Sequence, residues 1–226
     1  MDKQKRHDKI FLMLAKFVNL VLLNVFFVIF QLPLIVYLVL ASQGRITLSV
    51  FILVFLALPL TASLLAEFNA VYVMLNKEDS YTTKFFFQQF GHYAVSSESL
   101  PVYLIVYAVI GILLAEPLLK TIPALALFSP MYVVLLLVLV GMVPFLCMEI
   151  TVFRNTFLNT LVNAFVLLFM NWRLTLFNIA YLFVTLIVMQ TFPAAILFFI
   201  WSVYVYMFVV FYNGRLQRRI SHAQQS

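Results

Sequence analysis

Glu67, Asn24 and Gln31 set one carboxyl and two carboxamides within apolar runs, where a proton or a polar ligand would find hydrogen-bonding groups. Glu67 lies in the run ALPLTASLLAEFNAVYVML, eight residues before its end at Leu75, about 12 Å from that boundary by helix rise. An ionised group near a bilayer centre costs roughly 2.5–3.5 kcal/mol on insertion scales. Glu67 is therefore expected to face other helices and find polar partners, or to stay protonated. Asn24 and Gln31 are seven residues apart in an apolar run, which puts both carboxamides on one helix face. They and backbone carbonyls are the candidate partners. Three readings of this interior polar site stand side by side: a structural hydrogen bond, a proton or substrate site, and a side chain snorkelling to the interface. Glu149, near the cytosolic end of a later apolar run, is a weaker anomaly of the same kind.

Other chemistry is missing from the sequence. Cys147 is the only cysteine, so an internal disulfide and a cysteine metal site are both excluded. His7, His92 and His222 are far apart, and there is no Gly-rich phosphate loop, His-Glu metal pair or Gly-x-Ser-x-Gly turn. No metal or cofactor is expected. Nothing marks an enzyme, a nucleotide-driven pump or a metalloprotease.

The elements that must position Glu67 follow from composition. Of 226 residues 65% are hydrophobic and 10% charged, against roughly 45–50% and 25% in soluble domains. The chain reads as all-α, a polytopic membrane helical bundle in a single integral domain. A helix needs around 20 apolar residues to cross the hydrocarbon core, and six runs qualify: about 17–41, 46–75, 100–120, 130–152, 174–191 and 194–212. The basic N-terminus could open a secretory signal, but the first apolar run is 24 residues long, beyond the about 7–15 of a signal core. It is read as a retained span, loosened near its outer end by Pro33. The formal charge of +6 comes from basic residues at helix ends, which positive-inside topology explains without nucleic acid.

Two shorter segments are read as interfacial helices on the cytosolic side. Over Tyr81 to Val95, Phe86, Phe90, Tyr93 and Ala94 gather on one side and Lys84, Gln88, Gly91 and His92 on the other, an amphipathic pattern. The rings are expected to meet the bilayer or the protein's own bundle rather than a partner helix, and are drawn toward the bilayer. Asn155 to Met170 carries asparagines at 155, 159 and 163 and then only seven apolar residues, too few to span. With it held inside, twelve of the 14 basic residues are cytosolic and only Arg45 and Lys120 lie outside. A crossing would move four of the twelve outside and largely discard the asymmetry. Six spans with both termini cytoplasmic follow. The pairs Pro59/Glu67 and Pro144/Glu149, each before an interfacial segment, form a weak repeat of the sort that transporters show.

The runs LNVFFVIFQLPLI, LPLTASLLAEFNAVYVMLNKEDSYTTKFFFQQFGHYAVSS and RNTFLNTLVNAFVLLFMNWRLTL together resemble the YesL-like family of small bacterial integral membrane proteins. The sequence departs from that family in having Leu-Pro for Gly-Pro at Pro59 and Val71-Tyr72 where basic residues often sit. The resemblance implies a biochemically undefined cell-membrane protein of Gram-positive bacteria, encoded near carbohydrate importers and polysaccharide-degrading enzymes. It implies an accessory role in carbohydrate uptake or utilisation, with a carbohydrate ABC importer or another membrane protein as partner and self-association left open. Two rivals remain. A secondary transporter would use the polar face at Glu67, Asn24 and Gln31 and show a continuous polar path. A membrane enzyme or assembly factor of cell-envelope glycan metabolism would show titratable groups clustered at one surface.

Overall fold

The computed structural model describes residues 3–76, 82–121, 129–153, 155–191 and 200–223, and the regular elements among them are helical. They are α1 (Lys3–Ser42), α2 (Val50–Asn76), α3 (Thr82–Val95), α4 (Leu100–Thr121) after a 3-10 turn at Ser97–Ser99, α5 (Ser129–Phe153), α6 (Phe157–Met170), α7 (Trp172–Thr191) and α8 (Trp201–Ala223). The charged bend with Tyr81, the outer connection at 122–128, Arg154 and the beginning of the expected sixth span at 194–199 lie outside the described residues.

Four helical segments are long and apolar enough to cross a membrane: Met13–Ser42, Val50–Asn76, Ser97–Ala115 and Pro130–Phe153. α6 and the first part of α7 meet at 90° and make a fifth crossing only if that bent pair is one broken span. The chain is thus a multi-pass helical protein by length and composition. α1 is longer than its expected span. Its 40 residues run through Pro33 without a break, about 60 Å by rise and twice the hydrocarbon thickness. It ends where Gly44 adopts φ 68°, the left-handed turn that only glycine takes without strain, with the Gly44 and Arg45 N–H groups returning to Ala41 and Leu40 carbonyls at 3.0 Å each. Tyr37 then accepts from the Ser49 N–H at 2.6 Å and sets the start of α2.

Within lipid, helices gain little from hydrophobic transfer when they associate, so close packing and interhelix hydrogen bonds decide the arrangement. α2, α5 and α8 form the inner layer: Ala62, Leu65, Ala66 and Ala70 of α2, Phe145 to Met148 of α5, and Val205, Phe208 and Val209 of α8 are all buried. The alanines at 62, 66 and 70 recur every fourth residue and let neighbouring backbones approach α2. α1, α4 and α7 lie outside them and leave much apolar surface exposed. The rings of Phe68, Phe145 and Phe208, one from each inner helix, meet edge to face at the centre, with centroids 6.0 and 5.3 Å from Phe208.

The two short helices, 14 residues each, pack on the return helix before them, α3 on α2 and α6 on α5. α3 corrects one expectation. Its rings turn into the bundle rather than toward the bilayer: Phe86 is wholly buried, Tyr93 nearly so, and Phe90 stacks on Phe30 of α1 with centroids 4.0 Å apart. Asn69 of α2 donates to Tyr93 Oη at 2.7 Å and to Gln89 at 3.1 Å. Lys84 and Gln88 are exposed. The division of the rings from Lys84, Gln88, Gly91 and His92 is as read, Ala94 falls on the exposed side instead of with the rings, and α1 and α2 offer the apolar partner that lipid was expected to supply.

Candidate functional site

The antiparallel pairing of α1 and α2 sets the interior polar residues against each other, and α8 completes the site. Asn24 Oδ1 accepts the main-chain N–H of Ser202 at 3.1 Å. The Ser202 hydroxyl donates to Glu67 Oε1. Glu67, Asn24 and Ser202 are all fully buried. The Trp201 indole N–H faces the same carboxylate but falls short of a well-aligned hydrogen bond, and Glu67 Oε2 has no partner. Gln31 stands apart from this cluster: its Nε2 donates to Ser63 Oγ at 2.7 Å, one turn along α2 from Glu67. The three residues grouped from the sequence therefore divide, Asn24 and Glu67 sharing Ser202 while Gln31 pins the α1–α2 hairpin separately. Ser202 had no signal beyond being one hydroxyl in the apolar run AILFFIWSVYVYM.

A second acid site, underrated in the sequence, is better furnished. Glu149 is buried near the end of α5, and its Oε2 accepts from Asn155 at 3.0 Å and Asn163 at 3.2 Å. Its Oε1 accepts from the Tyr212 hydroxyl of α8 at 3.2 Å. Two of the three asparagines repeating along 155–163 thus converge on one carboxylate. The repeat was the available signal, although Asn155 lies before α6 begins and Asn159 stays exposed.

α8 donates a third time. The Tyr204 hydroxyl bonds Asn178 Oδ1 of α7, whose Nδ2 reaches the Gly141 carbonyl of α5 at 3.4 Å. Ser202, Tyr204 and Tyr212 thereby fasten one helix to α2, α7 and α5. Ser202 and Tyr212 are ten residues apart, about 15 Å by rise, and between them lie the buried rings of Phe208, Phe68 and Phe145. Among the described residues an aromatic layer therefore lies between the two acid sites.

The donors to both acids are neutral: a hydroxyl at Glu67, carboxamides and a phenol at Glu149. Among the described residues the single ion pair within 4.0 Å is His92 with Glu98, 3.6 Å apart on the partly exposed α3 end. No three His, Cys, Asp or Glu side chains gather as metal ligands among those residues. A cavity of about 90 Å³ lies beside the Asn178–Tyr204 pair, bounded by Trp201, Phe68 and Pro144. It is far below the roughly 300–1,000 Å³ of ligand pockets. The hydrogen bonds from Ser202, Tyr204 and Tyr212 across helix interfaces are suited to holding helices in register. No protein-family model, curated protein or solved structure matches the chain.

Proposed function

We propose that the chain is a non-enzymatic, six-span cell-membrane protein, both termini cytoplasmic, that serves as an accessory component of carbohydrate uptake or utilisation. The carbohydrate context rests on the resemblance to the YesL-like family. The topology rests on the basic-residue asymmetry, with α7 and α8 as the fifth and sixth spans and α6 on the cytosolic side. The accessory role over transport rests on one observation: Ser202 to Glu67 and Tyr212 to Glu149 are interhelix hydrogen bonds on either side of the buried Phe68, Phe145 and Phe208 rings. A transporter needs polar groups along the whole path. Recovery of carbohydrate-importer subunits with the protein from mild detergent is the expected result. Sugar uptake by the purified protein alone in vesicles overturns the reading.

A secondary transporter is the second reading, favoured by the unpartnered Glu67 Oε2. Single cysteines placed at 173 and 218 test the topology common to both. Labelling from outside intact cells at either position contradicts six spans with cytoplasmic termini.

A further inference from the structure

The bend between α6 and α7 opens an apolar groove of about 340 Å³ against α5, the size of a small ligand pocket, which runs roughly 300–1,000 Å³. Val134 and Val138 line it from α5, Leu168 and Phe169 from α6, Trp172 and Ile179 from α7. Its shape is held by hydrogen bonds. The Thr175 hydroxyl donates to the Leu168 carbonyl at 2.6 Å, and the Leu174 and Thr175 N–H groups both donate to the Asn171 carbonyl, at 2.8 and 3.1 Å. Gly141 allows the close fit, because a Cβ there would stand 2.9 Å from Leu168 Cδ1. The one hydroxyl in the lining is already engaged, so water has no partners to hold it there. Hydrocarbon is the occupant that suits such walls.

The mouth supplies the headgroup chemistry. Trp172 is exposed at the bend, and the Arg173 guanidinium lies 5.4 Å from its ring centroid. No carboxylate among the described residues pairs with Arg173. A guanidinium forks two donors onto one phosphate and stacks on an aromatic face at the same time. A zwitterionic lipid would bring its own cation toward Arg173, whereas an anionic one would not. We propose that this groove binds one acyl chain of an anionic phospholipid, with Arg173 on the headgroup phosphate and Trp172 at the interface. The site requires only that α5 and α7 lie in lipid and is independent of the carbohydrate reading.

Trp201→Phe leaves Trp172 as the sole tryptophan of two, so its fluorescence reports the lipid beside the groove. The full chain is placed in vesicles of phosphatidylcholine and phosphatidylglycerol in which one lipid at a time carries brominated, quenching acyl chains. Brominated phosphatidylglycerol should associate with Trp172 about fivefold more strongly than brominated phosphatidylcholine, the preference that one cation near an anionic surface supplies. Arg173→Gln in the same background should bring the two to parity. Because Trp201 packs beside Glu67, a second measurement leaves it in place. Native mass spectra of the otherwise unchanged protein should retain phosphatidylglycerol after detergent washing and those of Arg173→Gln should not. Equal association of the two lipids with Trp172, a preference that survives Arg173→Gln, or wild-type protein that retains no phosphatidylglycerol overturns the assignment.

Discussion

Replacing Glu67 separates a structural acid from a working one. In Glu67→Leu the Ser202 hydroxyl, the donor to Glu67 across the α2–α8 interface, loses its acceptor inside a fully buried site. Removing one partner of a buried hydrogen bond costs about 1–3 kcal/mol. Taking the middle of that range, the melting temperature in detergent should fall by about 4–8 °C for a chain of this size. Glu67→Gln keeps an acceptor for Ser202 and nearly the same shape, so its melting temperature should stay within about 2 °C of wild type, an effect under 1 kcal/mol. Ser202→Ala supplies the cross-check. Combined with Glu67→Leu it should cost less than the two single changes added, because neighbours sharing one bond are not additive. Thermal unfolding and membrane abundance are read beside growth on the relevant carbohydrate. Normal abundance with abolished growth for Glu67→Gln would refute the structural reading and move Glu67 to a proton-carrying role.

Further outcomes follow from the packing. Glu149→Leu removes the acceptor shared by Asn155, Asn163 and Tyr212, and hydrogen exchange over the start of α6 should accelerate while α3 stays unchanged. Gly141→Ala puts a methyl group 2.9 Å from Leu168 Cδ1, the movable end of that side chain, and should cost about 1 kcal/mol in thermal unfolding, the low end for added core volume. Adding Leu168→Ala, which withdraws the clashing atom, should cost less than the two single changes added. Spin labels at 86 and 88 should report burial and water respectively, and equal exposure of the two would contradict the packing of α3 against α1 and α2.

The helical class was legible because long apolar runs leave no alternative in a bilayer, and the short helices were found within two residues of their expected starts. The rings of Phe86 and Phe90 were separated correctly from Lys84 and Gln88, but helical periodicity states only that a face is apolar. Whether lipid or protein covers it depends on where α1 runs, and α1 carries matching rings at Phe26 and Phe30. Glu67 stood out because charge is costly in an apolar run. Its partner did not, since Ser202 lies 135 residues away and a single serine carries no periodic signal. Depth along a span was a poor guide to Glu149, whose burial comes from the fold of α6 over its end.

A closed interior separates the accessory reading from transport, and the protein carries a reporter of it. Cys147, the sole cysteine, is fully buried on α5, two residues before Glu149 and beside the buried Phe145 and Leu146. In membranes, a small water-soluble thiol reagent should leave Cys147 unmodified with or without oligosaccharides present, and modify it once detergent unfolds the chain. Modification of Cys147 in the folded protein, above all one that sugar accelerates or blocks, would contradict the closed interior and favour transport.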